Sequence, residues 1–362
     1  MEQKKFLKFG LTNEHFREYV GLVEDEVQMY LKKSPFLDHS LDSVNGYQWR
    51  TFDPLHVMEE ITILTAARTL LGKEVRANLD TSFSALYNDL DAGFIPINLL
   101  LPNLPLPVNR RRDRAHQRMS RFFVDIIQKR KLQSSKEEPE NDMIASLMGR
   151  TYKDGRKLQD HEVAHMLIGL LMAGQHTSSS TAAWILLHLA AHPALAELLF
   201  AEQVEYFTTA DGTLRSMTYD ELKELPVMNA VINETLRMHP PIHSILRNVR
   251  EAVSVPQQLS SNSYIIPQGH YVLASPLLSQ MDSRYWEEPE VWSPYRWLGS
   301  VKEVAGDESA IKHNGVHISK ATDSFFQPFG SGRHRCIGEQ ASLTQLKDII
   351  SSEILFSLRI CS

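Results

Sequence analysis

Cysteine is nearly absent from this chain. Two cysteines in 362 residues, Cys336 and Cys361, cannot build a disulfide framework, and a reducing, intracellular setting is the simpler reading. Glycine and proline, 17 of each, are too few for a collagen-like or wholly disordered chain. Positive charge is not in excess either. Against 44 acidic side chains stand 38 basic ones, a net charge of −6, which argues against a protein that grips nucleic acid with its bulk surface. The first ten residues, MEQKKFLKFG, are charged and lack an apolar core, so no secretory signal is read there. Internal repeats are missing. What is plentiful is apolar matter: 43% of the residues are hydrophobic, enough to core one large domain or two ordinary ones.

The patterning predicts a mainly α protein with a small β part. Phe16 to Leu31 is amphipathic, Asp53 is placed to cap a helix running through Leu71, and further helices are read over Asp80–Leu90, Asn109–Lys131 and Tyr219–Met238. Leu99–Pro107 (LLLPNLPLP) is proline-broken and reads as a greasy loop, packed against the body or set against a membrane or substrate. Arg110, Arg111, Arg112 and Arg114 give the following helix a basic, solvated face. Leu132–Asn141 reads as a polar linker, Ala210–Ser216 as a loop, and Leu298–Thr322 as irregular. Ser244–Val249, Tyr264–Ile266 and Tyr271–Ala274 read as short strands. The charge-free stretch Val163–Ala196 is long enough to span a membrane. Its centre, Gln175 to Thr181 (QHTSSST), would be costly in lipid, so a long helix through a protein interior is expected. A polar notch in such a helix needs a reason.

Two patterns carry chemistry. His161-Glu162-Val163-Ala164-His165 fits H-E-x-x-H, two imidazoles one helical turn apart with a carboxylate between them, as in zinc hydrolases. The extended form of that motif needs Gly and His where Ile168 and Leu171 stand, and short patterns arise readily by chance in a chain with 15 histidines. The second pattern is Phe329 to Gly338 (FGSGRHRCIG). A lone cysteine is ordinarily a small buried hydrophobe. Cys336, however, sits among three glycines and two arginines, just before a helical stretch. Glycines let backbone N–H groups approach a ligand closely, and cationic neighbours with a helix start favour a thiolate, hence a nucleophile or a metal ligand. Gly330-x-Gly332 is no dinucleotide fingerprint, because Arg335 occupies the third glycine position.

Taken with three further motifs, that loop resembles the haem-thiolate loop of the cytochromes P450. Ala173 to Ser178 (AGQHTS) is similar to the oxygen-activation segment of their long distal helix, Glu234-Thr235-Leu236-Arg237 to their E-x-x-R motif, and Pro294 to Trp297 (PYRW) to their later P-x-R segment. The four occur in the family's order. Details resemble the fungal sterol 14α-demethylase branch: His at 176 in place of an acid, His at 334 in place of arginine, and the stretches MEQKKFLKFGLT, LDAGFIPIN and IHSILRNV.

The resemblance implies a single P450 domain over residues 1–362. It begins at the family's C helix, so the membrane anchor, first strands and B-helix region are expected to be missing, and residues 341–362 read as a divergent tail. It implies haem b (iron-protoporphyrin IX), with Cys336 as the iron ligand, Gly174 where the distal helix nears the haem, and Phe329, Gly330 and Gly338 shaping the loop. Lys4, Arg247 and His334 would meet the haem propionates. Thr177 and His176 would relay protons, and Phe94, Ile242, His243 and Ser244 would face substrate. Glu234, Arg237 and Arg296 would be structural. The implied activity is oxidative removal of a sterol 14α-methyl group in ergosterol biosynthesis. Electrons would come from NADPH through cytochrome P450 reductase, docked in part by Arg333 and Arg335, and azole-type inhibitors would bind. Endoplasmic reticulum membrane is the implied location, reached through the missing anchor and the 99–107 loop. The alternatives are a non-catalytic P450 fragment and an H-E-x-x-H zinc hydrolase.

Overall fold

A computed structural model describes residues 2–34, 51–79, 82–101, 103–133, 142–255, 264–298, 311–313, 316–318 and 324–361. They divide into two units, Met1–Leu225 with Ile337–Ser362, and Pro226–Cys336.

The first unit is helical: α1 (Glu2–Leu7), α2 (Asn13–Lys33), α3 (Pro54–Leu70), α4 (Gly72–Asn78), α5 (Ser82–Asp91), α6 (Pro96–Leu100), α7 (Pro107–Gln133), α8 (Met143–Met148), α9 (Asp160–Ala191), α10 (Pro193–Phe207), α11 (Tyr219–Lys223) and α14 (Glu339–Cys361). Asp53 caps α3 as expected, its carboxylate accepting from the N–H groups of Leu55 and His56. α3 is buried on nearly all sides, which its composition permits because each buried hydroxyl bonds its own helix. Thr62 donates to Met58 O at 2.6 Å and Thr65 to Ile61 O at 2.8 Å. α9 and α2 pack on α3, α14 packs on α2 and α9, and α7 packs on α9. Gln345 of α14 ties this bundle, donating to Thr65 Oγ1 at 2.8 Å and Thr62 O at 3.2 Å.

Proline sets two boundaries that periodicity alone misplaces. The helix expected over Val163–Ala196 ends at Ala191, because Pro193 cannot continue the ladder and instead opens α10, turned by 114°. Tyr219–Met238 likewise divides at Pro226. Leu99 and Leu100, expected in a loop, close the short helix α6, while Leu101 and residues 103–106 are irregular. Among the described residues, no single helix is long and apolar enough to cross a membrane. Most of the expected linker, 134–141, lies outside the described residues.

Asp142 does two jobs in this unit. It caps α8 by accepting from Ala145 N at 2.9 Å, and it takes two hydrogen bonds from Arg130 Nη1, at 2.9 and 2.7 Å. The carboxylate side chain is only 4% exposed. Asp142→Ala therefore loses a cap and leaves Arg130 without its bidentate partner, with an expected cost of about 3 kcal/mol in urea unfolding. Asp142→Asn, which keeps the cap, is expected to cost less.

The second unit contains α12 (Pro226–Met238), β1 (Ile245–Asn248), β2 (Val253–Ser254), β3 (Ile265–Ile266), β4 (Tyr271–Ala274), α13 (Pro276–Gln280), β5 (Ile311–His313) and β6 (Val316–Ile318). β1 and β4 pair antiparallel with Arg247 opposite Val272, and β2 pairs β3 with Val253 opposite Ile266. The stretch expected to be irregular, Leu298–Thr322, holds the β5–β6 hairpin, and its remainder after Leu298 lies outside the described residues.

Candidate functional site

In the second unit the E-x-x-R pair is the hub of a buried polar network. Three residues apart on α12, Glu234 and Arg237 lie on one face, and both side chains are fully buried. Arg237 donates from Nε to Glu234 Oε2 at 2.9 Å and from Nη2 to Oε1 at 2.8 Å, the planar fork matching the carboxylate. Its Nη1 meets the carbonyls of Gln280 at 2.9 Å and Pro289 at 2.8 Å. Arg296 adds a second cation, with Nε 3.0 Å from Glu234 Oε1, while Ser293 N and Trp297 Nε1 each donate to the same carboxylate at 2.9 Å. Burial pushes the Glu234 carboxyl up, and Arg237, Ser293 and Trp297 outweigh it, so the group sits below its usual range.

Gln280 is the residue that sequence reading missed. Fully buried, it donates to the carbonyls of Leu236 and Arg237 at the end of α12, and its Oε1 accepts from Gln327 N at 3.0 Å. Gln327 O in turn accepts from Gly330 N at 3.0 Å. A continuous run of hydrogen bonds therefore leads from Glu234 to the cysteine loop.

That loop folds back on itself. Cys336 N donates to Phe329 O at 3.0 Å, Arg335 N to Gly332 O at 3.2 Å, and Arg335 Nη1 to Gly330 O at 3.2 Å. Gly330 and Gly332 hold φ of +67° and +62°, left-handed conformations that favour glycine. Cys336 is a free, exposed cysteine. A short 3₁₀ turn, Gly332–His334, carries His334. Shortly after the end of α12 in the chain, Ile242 is exposed, and His243 Nδ1 lies 2.8 Å from Ser244 Oγ, while Ser275 donates to His243 O at 2.8 Å. Arg247 is exposed on β1.

In the first unit, Gly174, His176 and Thr177 lie mid-way along α9, which runs unbroken through them. A Cβ built on Gly174 meets nothing within 4 Å. The notch is satisfied largely by the helix itself: Thr177 Oγ1 donates to Ala173 O at 2.6 Å and Thr181 Oγ1 to Thr177 O at 2.8 Å, while Ser178 Oγ pairs with Ser342 of α14 at 3.1 Å. His176 Nδ1 is 3.3 Å from Asp91 Oδ2 at the end of α5. Burial and the nearby Glu59 hold the Asp91 carboxyl above its ordinary range, against the pull of His176. Asp91 stands 85 positions from His176, too far for any local motif to join them. Phe94, just beyond, is 78% exposed. Lys4 lies on α1, and Gly338 immediately precedes α14.

The H-E-x-x-H pattern is spent on structure. Glu162 takes two hydrogen bonds from Arg156, at 2.8 and 3.0 Å, and completes a capping box with Gln159, so Arg156 and the Gln159 N–H push its carboxyl down to about 2. Among the described residues, no group of three or more His, Cys, Asp or Glu side chains is arranged to hold a metal ion.

A family model described as Cytochrome P450 matches residues 2–357. The chain belongs to the cytochrome P450 family. It is 45% identical to a lanosterol 14-alpha demethylase of Mycosarcoma maydis, over 97% of this chain and 65% of that protein. A sterol 14-alpha demethylase of Aspergillus fumigatus is 44% identical over 97% of this chain and 66% of its own length. A lanosterol 14-alpha demethylase of Candida tropicalis is 43% identical over 98% and 66%. The chain thus spans about 65% of the length of these relatives.

Cytochromes P450 hold haem through a cysteine thiolate and draw electrons from a redox partner. The residues of this P450 chain fit such a group. The second unit offers one accessible sulfur on a glycine turn braced by backbone hydrogen bonds, and open space at the Cβ position of Gly330. The first unit offers the bare backbone of Gly174, with open space at its Cβ position, beside the polar notch of α9.

Proposed function

We propose that this chain is the greater part of a haem-thiolate monooxygenase that removes the 14α-methyl group of a lanosterol- or eburicol-type sterol. The observation that carries the proposal is the braced, accessible Cys336, together with the names of the fungal relatives. Bound haem b would supply oxygen activation, in three successive monooxygenations driven by electrons from NADPH through cytochrome P450 reductase.

The chain's own residues would have separate duties. In the second unit, Cys336 Sγ would bind the iron, Phe329 and Gly330 would shape the loop, and Arg247 and His334 would pair with propionate carboxylates. Ile242, His243 and Ser244 are the proposed sterol contacts there. Glu234, Arg237 and Arg296 would act only by holding the loop's support. In the first unit, Lys4 would meet a propionate, Gly174 would admit the porphyrin edge, Gly338 would turn the chain into α14, and Phe94 would touch sterol. The His176–Asp91 pair would move protons: Asp91 Oδ2 would hand one to His176 Nδ1, and the Thr177 hydroxyl, with its lone pairs still free to accept, would pass one on. We place the whole enzyme at the endoplasmic reticulum membrane, with the apolar 99–107 loop against lipid and with azole-type inhibitors able to compete for the site.

The test is to incubate the haem-loaded chain with reductase, NADPH and lanosterol, and to look for the 14-demethylated sterol by mass spectrometry. Product, or a lanosterol-induced shift of the haem absorbance, is expected, and the lack of both would refute the assignment. Thr177→Ala is expected to leave haem content unchanged while product formed per NADPH consumed falls by about tenfold or more. Unchanged coupling would remove Thr177 from the relay.

A further inference from the structure

The C-terminal helix α14 presents a polar face to the bundle. Thr344, Asp348, Ser351 and Ser352 are all buried, spaced so that they fall on one side of the helix. Asp348 is fully buried. Its Oδ1 accepts only a long hydrogen bond from Ser352 Oγ, at 3.5 Å, and its Oδ2 has no hydrogen-bond partner. Beside it lies a cavity of about 40 Å³, walled by Phe16, Tyr19 and Val20 of α2, Thr69 of α3, and Thr344 and Gln345 of α14 among others. That volume admits water, and the hydroxyl and amide lining supplies the partners a water needs.

The charges around Asp348 make ionisation costly. From α2 it faces Glu24, which is buried and accepts from Gln28 at 3.0 Å, and the Tyr19 phenol, itself pushed up by burial. The α3 wall of the cavity, Ala66, Thr69 and Leu70, carries no titratable group, and Ser178 of α9 pairs with Ser342 of α14. On α14 itself, Lys347 donates to Leu222 O at 2.8 Å, toward Glu202 of α10, Glu224 and Lys223. Glu353 is pushed up to about 8 by burial.

We propose that Asp348 is a proton-operated latch on α14: as the neutral acid it seats the helix against α2 and α3, and as the carboxylate it draws water into the cavity and loosens that seat. Burial, reinforced by Glu24, raises the Asp348 carboxyl well above its ordinary value. A group raised in the folded chain contributes stability that is complete below its unfolded pKa and is lost as pH rises through the folded value. Lys347, which burial pushes down to about 8, reverses the sign above that pH, so the latch is read between pH 5.5 and 7.5. The latch is independent of haem, although α14 starts only three residues beyond Cys336 in the chain.

The experiment is urea unfolding of the full chain at pH 5.5 and 7.5, with amide hydrogen exchange of Leu346–Ser352 followed in parallel. Each pH unit costs up to about tenfold in the folding equilibrium while Asp348 is neutral in the folded chain and ionised in the unfolded one, and less once the native carboxylate forms. Between the two pH values, the wild type is therefore expected to lose more than Asp348→Asn, by up to about 100-fold, with faster exchange in α14. Glu353→Gln removes a separate titration in the same window, and the smaller loss of Asp348→Asn relative to wild type is expected to persist when both proteins carry it. Should Asp348→Asn not fold, Asp348→Leu, which fills the same space without a titratable group, gives the same comparison. Equal pH dependence in wild type and variant, or exchange in α14 that ignores pH, would overturn the proposal.

Discussion

Arg237→Ala is expected to leave the Pro226–Cys336 unit unable to fold. The substitution strips the Glu234 carboxylate of its bidentate partner while Arg296, Ser293 and Trp297 still hold it in a fully buried position. It also abandons the carbonyls of Gln280, Pro289 and Val291, each now bonded by the guanidinium. Breaking a buried pair costs about 3–5 kcal/mol, and the stranded carbonyls add to it, against a total stability of about 5–15 kcal/mol for a typical domain. Near-ultraviolet circular dichroism should show the loss directly, because Trp286, Trp292 and Trp297 pack around this network. Trp286 and Trp297 lie with centroids 5.8 Å apart, and Trp292 Nε1 donates to Thr235 Oγ1 at 3.2 Å. Arg237→Lys keeps the charge but not the fork, and is expected to fall well short of rescue. The Glu234 carboxyl lies below its ordinary value, so this network's stabilisation is present above the unfolded carboxylate range and disappears as pH falls through the folded value.

Cys336→Ser should have the opposite profile, with the fold kept and the chemistry lost. The side chain is exposed, and the bond that closes the loop runs from the backbone N–H of residue 336 to Phe329 O, so an oxygen in place of sulfur disturbs little packing. Urea midpoints of the two proteins should coincide. Yet serine offers no thiolate, and the electron donation that a thiolate sulfur would supply to bound haem goes with it. The ferrous carbon monoxide complex of the variant is expected to lose the thiolate-type absorbance completely, along with all turnover.

Much of this was legible in the chain itself, where the determinants are local. The Asp53 cap, the α2 and α7 helices and the Glu234–Arg237 pair depend on neighbours one helical turn away, and periodicity reports such neighbours. Prolines 193 and 226 were equally local signals, and there the apolar pattern misled because it continues straight through the break. Other features had no local trace. Gln280 bonds partners 43 to 47 positions away, and Asp91 finds His176 across 85 residues. Asp348 reads as an ordinary polar position on a C-terminal helix until the packing of α2 and α3 encloses it. Motifs name the residues that perform chemistry, whereas their supports are chosen by tertiary contact.

The central claim is that Cys336 is an iron-binding thiolate, and one absorbance spectrum tests it most directly. The wild-type chain, loaded with haem, reduced and exposed to carbon monoxide, should show the red-shifted Soret band of a thiolate-ligated haem, with one haem bound per chain. A band at the position given by histidine-ligated or free haem, identical in wild type and Cys336→Ser, would contradict the account.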